Sequence, residues 1–258
     1  MKVSSNPNLR LRNILEREDV AIATFITLKG VRTAQIIAHT GAVIIDCEHG
    51  NIDDSDMHDM VAAVSGSGVS PVVRIPSLDG TFMKRALETG AHGIMVPMVN
   101  TAKEAELVVK LAKFPPVGIR GHGSSFACLE HGLKTPSEFI AKANQNTITM
   151  IQIETASAVE NVDEIAQVEG IDLLFIGPND LSLSLLGYTP ANFADTALLQ
   201  AISNVVASAK RYGKKVGILS TDGEAAKKAK EMFDLIVLNT DVRTLQAWYG
   251  KELNIARS

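Results

Sequence analysis

Short apolar, β-branched runs recur along this chain of 258 residues, at 20–27, 42–47, 71–75, 93–99, 147–154, 171–177, 215–220 and 234–239. A strand with one wet face alternates apolar and polar residues, yet AVIID, PVVRI, GIMVPMV, DLLFIG and DLIVLN do not alternate. Such strands are buried on both faces, as in a parallel sheet covered by helices. Segments of helical periodicity separate them, at 53–64, 79–88, 101–113, 156–167, 197–212 and 222–232, several opening on an Asp or Thr suited to an N-cap. Eight strand–helix units in about 250 residues predict a single-domain α/β fold, the (β/α)8 TIM barrel, because right-handed crossovers into one parallel sheet close most simply that way. An open doubly wound sheet is the alternative.

Composition narrows the function classes. With 46% hydrophobic and 21% charged residues the chain is an ordinary globular one, long enough to bury a full core without disulfides or a structural metal. A net charge of −4 gives no reason to expect nucleic acid or an anionic membrane as partner. The two cysteines, Cys47 and Cys128, are isolated and form neither a CxxC site nor a disulfide framework. No apolar run approaches the ~18 residues of a membrane span, and the N-terminus lacks a signal-peptide core, so the expected location is cytoplasmic.

Two stretches break the rhythm. Residues 114–146, containing PPVGIRGHGSSFACLEHG, and PNDLSLSLLGYTPANF after the sixth strand are longer than ordinary connections. In a barrel they read as active-site loops or, alternatively, as packing and oligomer contacts.

Barrel active sites lie at the C-terminal strand ends, and here those ends carry Asp46-Cys47-Glu48-His49-Gly50, Arg74-Ile75-Pro76, Gln152-Ile153-Glu154 and Gly177-Pro178-Asn179-Asp180. One charge after a strand only means that the chain has reached water. Four together place two carboxylates, a guanidinium and an imidazole around one cavity. Glu154 and Asp180, at equivalent positions on neighbouring strands, suit oxygen ligation of Mg2+ or Mn2+ in an open site. Two solvated rim acids, or an ion pair with Arg74, fit the spacing as well. Cys47 faces away from Asp46 and Glu48 if the strand continues, and reads as core.

DCEHG, VVRIP, GIMVPMVNTAKEA, GIRGHGS, QIET and GIDLLFIGPNDLS, in this order, resemble the metal-dependent pyruvate aldolases of the HpcH/HpaI family over most of the chain. GNIDD and SLLGYTP are most similar to fungal members near macrophomate synthase. The resemblance implies Glu154 and Asp180 as metal ligands, for Mg2+, Mn2+ or Co2+, with Gln152 beside the metal. It implies Arg74 on the keto or enolate oxygen, His49 as acid/base through a water, and Asp46 near that histidine. It further implies the amides of Asn179 and Asp180 on the pyruvate carboxylate, with Gly177 allowing the approach. A loop over 121–125 is implied to close on the distal part of the substrate through His122 and Ser124. His122 replaces a residue often aliphatic in bacterial members, and Glu88 stands where bacterial relatives pair an aspartate with the histidine.

The implied chemistry is cleavage of 4-hydroxy-2-oxo acids to pyruvate and an aldehyde, and the reverse addition, through a metal-bound pyruvate enolate. No lysine stands at the ends of the fifth and sixth runs for a Schiff base. Oxaloacetate decarboxylation, or a macrophomate-synthase-like reaction, is the alternative use of the same enolate. A barrel used only for binding is the reading from another class. A homo-oligomer, hexamer or trimer, is also implied; Leu245, Trp248, Tyr249 and Leu253 form an apolar set near the C-terminus that suits an interface or simply the last barrel helix.

Overall fold

The computed structural model describes residues 6–39, 41–190 and 193–258. In chain order the elements are α1 (Arg10–Glu16), β1 (Ala21–Ile26), α2 (Val31–Ile37), β2 (Ala42–Asp46), α3 (Asp54–Gly66), β3 (Ser70–Arg74), α4 (Gly80–Glu88), β4 (Gly93–Val96), α5 (Ala102–Ala112), α6 (Phe126–Glu130) and α7 (Pro136–Asn146). They continue with β5 (Ile148–Ile153), α8 (Ala156–Glu160), α9 (Val162–Gln167), β6 (Leu173–Ile176), α10 (Pro178–Leu186), α11 (Thr196–Arg211), β7 (Lys215–Ser220), α12 (Gly223–Ala229), β8 (Leu235–Thr240) and α13 (Asp241–Arg257). The strands pair in parallel in the order β1 to β8, and β8 closes on β1. The sheet is therefore the closed (β/α)8 barrel, and the open doubly wound alternative is set aside.

Strand period sorts the side chains into two cores. Val43, Ile45, Val73, Ile94, Ile151 and Leu174 point outward to helix residues such as Val61, Val108, Ile165 and Val205. Ala23, Phe25, Ile44, Val72, Met150, Phe175 and Val237 fill the barrel, and Leu11 and Leu15 of α1 complete that inner core. The α1 helix is held at the N-terminal strand ends: the Leu11 amide donates to Ser70 Oγ at 3.0 Å, and Arg12 Nη2 pairs with Asp172 Oδ1 at 3.1 Å. The other mouth is left open.

Several predicted connections and helices differ. The 114–146 stretch contains α6 and α7, with a small core of Phe114, Ala127, Cys128, Phe139 and Ala143. The segment after β6 is the helix α10, entered through Pro178 and ended by Gly187 in the left-handed conformation, φ 75°. The helix expected over 156–167 is two, α8 and α9, meeting at Asn161. Beyond its first turn α13 extends from the barrel, its main contacts being with β1 and β8. No helix among the described residues is long and apolar enough to cross a membrane.

Candidate active site

Asp46 and Arg74 end adjacent strands and are direct partners in the β2–β3 register. Both continue the inward stripe, so two charges face each other inside the barrel mouth. Arg74 Nε donates to Asp46 Oδ1 at 2.9 Å and Nη2 to Oδ2 at 2.6 Å, a buried two-pronged pair. The remaining edge, Nη1, lies 3.4 Å from Gln152 Oε1 and 3.2 Å from Glu48 Oε2. Below the guanidinium, 4.5 Å away, lies the ring of Phe25, itself edge-on to Phe175. Burial opposes the arginine's charge, but its bonds to Asp46 and the fields of Asp46, Glu48 and Glu154 outweigh burial and raise its pKa. The cation is fixed in charge and in orientation.

Asp46 also builds the turn that follows. Its Oδ1 accepts the amides of Glu48 at 3.1 Å and His49 at 3.2 Å, and its carbonyl accepts that of Gly50 at 3.1 Å. A Cβ at Gly50 would strike the Asp46 carbonyl and crowd that of Thr27, which explains the glycine. His49 thereby stands at the rim, its side chain 63% exposed and its Nε2 3.8 Å from Glu48 Oε2. Cys47 turns outward to the helix layer, where burial, then Asp46 and Asp54, push its thiol up to about 12. That thiol is inert at neutral pH.

Past β5, Glu154 is bracketed by two donors: Gln152 Nε2 to its Oε2 at 2.6 Å and the Met98 amide to its Oε1 at 2.8 Å. Met98 adopts φ 55°, a strained conformation for a residue with a side chain, and its amide is what the strain delivers. Burial first, then the charges of Asp180 and Glu48, push the Glu154 carboxyl up to about 7 against the opposing Met98 amide. Glu48 is raised as well, chiefly by burial. Asp180 is not on a strand end, as expected, but in the first turn of α10, because the helix starts at once after β6. With Pro178 at the first position, the amides of Asn179 and Asp180 precede the first intrahelical bond, from Leu181 to the Gly177 carbonyl at 3.0 Å.

These residues fit a hard cation. Mutually repelling carboxylates, one with its pKa near neutrality, are arranged as a cation would require. A Cβ on Gly177 would collide with the Glu154 carboxylate and approach Gln152 Nε2 to 3.3 Å, so the glycine keeps that cradle open. Among the described residues no group of three or more His, Cys, Asp or Glu side chains could hold a metal alone. A cation held there would need the substrate or water to complete its oxygen donors.

Asp46, His49, Arg74, Gln152, Gly177, Asn179 and Asp180 line one cavity of about 520 Å3. Phe25, Phe175 and Leu219 give it apolar walls, and Asn239, Arg243 and Gln246 a polar one, none of which sequence reasoning singled out. The structure does not bring His122 or Ser124 to this cavity. Ser124 Oγ donates to the Glu88 carbonyl at 2.7 Å, and His122 lies edge-on to Phe114, ring centroids 6.3 Å apart. Their segment leads into α6 and packs on the outside of the barrel. Glu88 ends α4 and sits 3.8 Å from Arg85, not beside His49.

A closed parallel barrel with an arginine, a histidine and paired carboxylates at its C-terminal mouth is built as barrel enzymes are, and the chain's relatives give the class, a carbon–carbon lyase of the aldolase kind. The chain belongs to the HpcH/HpaI aldolase/citrate lyase family, whose model matches residues 22–240. It is 35% identical over 231 residues to the hydroxypyruvate/pyruvate aldolase of Rhizorhabdus wittichii, covering 88% of this chain and 90% of that protein. The crystal structure of a family protein from Burkholderia cenocepacia superposes with a TM-score of 0.86 at 29% identity, covering 100% of both chains. Macrophomate synthase superposes with a TM-score of 0.82 at 24% identity, over 98% of this chain and 89% of that one, a likeness of fold alone.

Proposed function

We propose that the enzyme cleaves 4-hydroxy-2-oxo acids to pyruvate and an aldehyde, and catalyses the reverse addition, with a divalent cation held by Glu154 and Asp180. The observation that carries this is the continuous chain Asp46–Arg74–Gln152–Glu154, which links the guanidinium to the Glu154 carboxylate through Gln152. Mg2+ or Mn2+ suits all-oxygen donors, with Co2+ a further candidate, and such a cation supplies a Lewis acid for the 2-oxo acid. Arg74 Nη1 faces the charge that develops on the 2-oxo oxygen, and Asp46 keeps the guanidinium from turning away. The amides of Asn179 and Asp180, at a helix N-terminus, receive the substrate carboxylate. His49, held by Asp46 at the rim, takes the C4 hydroxyl proton through water during cleavage. The name of the relative from Rhizorhabdus supports pyruvate or hydroxypyruvate as the 2-oxo acid.

Oxaloacetate decarboxylation is the second reading, favoured by one observation: His49, which only aldol cleavage needs as a base, stands at the rim with its side chain 63% exposed. Self-association, as a trimer or hexamer, is supported by α13, whose Trp248 and Ile255 remain 58% and 60% exposed. A cytoplasmic location is the reading for a chain whose two cysteines, Cys47 and Cys128, are isolated from each other in sequence. The test is pyruvate release from a panel of 4-hydroxy-2-oxo acids and oxaloacetate, before and after EDTA and after Mg2+ or Mn2+ is restored. Cleavage that stops with EDTA and returns with metal is expected; full activity after rigorous chelation would overturn the assignment of Glu154 and Asp180.

A further inference from the structure

Glu154 is held from outside the cavity as well as from within it. Residues 97–101 join β4 to α5, and among them Met98 takes φ 55°, where its Cβ is crowded by the following carbonyl. In that conformation its amide meets Glu154 Oε1 at 2.8 Å. A left-handed residue with a side chain persists when its surroundings over-determine it. Here Asn100 does so: its Nδ2 donates to the Met98 carbonyl at 2.8 Å, which fixes the peptide on the other side of Met98.

Asn100 is itself held from three sides. Its amide donates to Glu104 Oε2 at 2.7 Å, its carbonyl accepts Asn161 Nδ2 at 2.9 Å, and its Oδ1 accepts the Thr155 hydroxyl. Thr155 directly follows Glu154 and caps α8 by accepting the Ala158 amide at 3.0 Å. The Asn100 side chain thus applies its donor to the turn that reaches Glu154 Oε1, and its acceptor to the residue next to Glu154 in the chain. A side-chain amide supplies both functions at once, whereas a carboxylate has no donor. The other carboxylate oxygen, Oε2, is held separately by Gln152 Nε2. Hydrogen bonds of this kind set the orientation of a carboxylate that binds a metal.

We propose that Asn100 is a positioning residue for the cation: by locking Met98 in its left-handed turn and Thr155 at the end of β5, it holds the Glu154 carboxylate in the orientation that binds a divalent ion. Asn100 does not line the cavity and acts through Glu154. The inference rests on the reading of Glu154 and Asp180 as the metal's ligands.

The experiment is calorimetric titration with Mn2+ alone, without substrate, of the full-length protein stripped with EDTA and desalted. The proteins are wild type, Asn100→Ala, Met98→Gly, the double variant and Glu154→Gln, with thermal unfolding of each metal-free protein alongside. N100A keeps the backbone bonds of residue 100 and the capping box of Thr101 and Glu104, so α5 keeps its start. It should weaken Mn2+ binding about tenfold to a hundredfold, as loss of a group that orients a metal's ligand typically does. Glycine reaches positive φ without strain, so M98G should bind within about threefold of wild type, and the double variant should recover most of what N100A loses. Asn100→Ser replaces N100A under the same criteria if the alanine variant does not fold. Binding by N100A within about twofold of wild type, while Glu154→Gln is weak, would overturn the inference and leave the metal assignment standing. A melting temperature lowered in N100A with unchanged Mn2+ affinity is that outcome, since a merely structural asparagine behaves so. A double variant no tighter than N100A would also overturn it, because Asn100 would then not act through the Met98 turn. Wild type that takes up no Mn2+, or takes it up as tightly after Glu154→Gln, would remove the metal assignment and the inference together.

Discussion

Acid should weaken this fold through two buried histidines far from the active site. His92, 2% exposed, has Ser70 Oγ at 3.1 Å from Nδ1 and the Glu130 carbonyl at 3.0 Å from Nε2. His131, 1% exposed, stacks edge-on against His92 and Phe139, and its Nδ1 has no partner. Burial pulls His92 down to about 4, against the Glu130 carbonyl, and pulls His131 down to about 3, helped by the charges of His92 and Arg120. A histidine depressed in the folded state contributes its full stability above the unfolded pKa, about 6.5, and loses it as pH falls toward the folded values. Between pH 7.5 and 5 the unfolded chain gains nearly one proton per histidine and the folded chain almost none. Each therefore costs roughly 2 kcal/mol at pH 5, and the pair roughly 4, a large share of the 5–15 kcal/mol of a typical domain. Urea unfolding at fixed protein concentration, at pH 7.5, 6 and 5, measures the loss. His131→Phe keeps the ring contact with Phe139 and removes one titration, so its slope between pH 6 and 5 should be shallower by about 1.2 kcal/mol per pH unit. Glu154, raised to about 7, works in the opposite sense, but equally in both proteins. Parallel pH dependences of wild type and variant would refute the argument.

Two further outcomes concern the site. Arg74→Lys keeps the charge but loses the fork on Asp46, so kcat/KM for cleavage should fall ~10²–10³-fold, and a value within about twofold of wild type would remove Arg74 from the role given to it. His49→Ala should lower aldol cleavage ~10²–10⁴-fold while sparing oxaloacetate decarboxylation, which needs no base at a hydroxyl; a ratio of kcat/KM values unchanged by the substitution would make His49 structural.

The barrel was legible because burial on both strand faces leaves a composition that hardly any other arrangement tolerates. The runs at 42–47 and 215–220 coincide with β2 and β7 to within a residue. What escaped was short helix without a strong start. The α1 helix is capped by Leu9, whose side chain makes no capping bond, and only its tertiary role in the inner core sustains it. The α7 and α10 helices did carry signals. Thr135 accepts the Glu138 amide ahead of a Pro at the first turn, and α10 runs from Pro178 to Gly187. The Gly, Pro, Asn and Ser around them read as loop, since the same residues serve both turns and caps.

The site divides along the same physical line. Asp46, Arg74, Gln152 and Glu154 could be read from the chain because strand period and parallel register send equivalent strand ends to one mouth, and Asp46 opposite Arg74 is a consequence of register alone. His122 and Ser124 were expected there only because their segment resembles a closing loop, and nothing local opposes their packing outside the barrel beside Glu88. Arg243 was invisible for the converse reason. Which face a helix turns to a cavity depends on the angle at which it leaves its strand. Here that angle is set by the left-handed Asn239 and by bonds from Asp241 to Thr27 and Leu28, more than 200 residues away in sequence. Residues that line the mouth through strand register are thus recoverable from sequence, whereas those that the last helix adds to its wall sit on an element whose direction only the closed barrel determines.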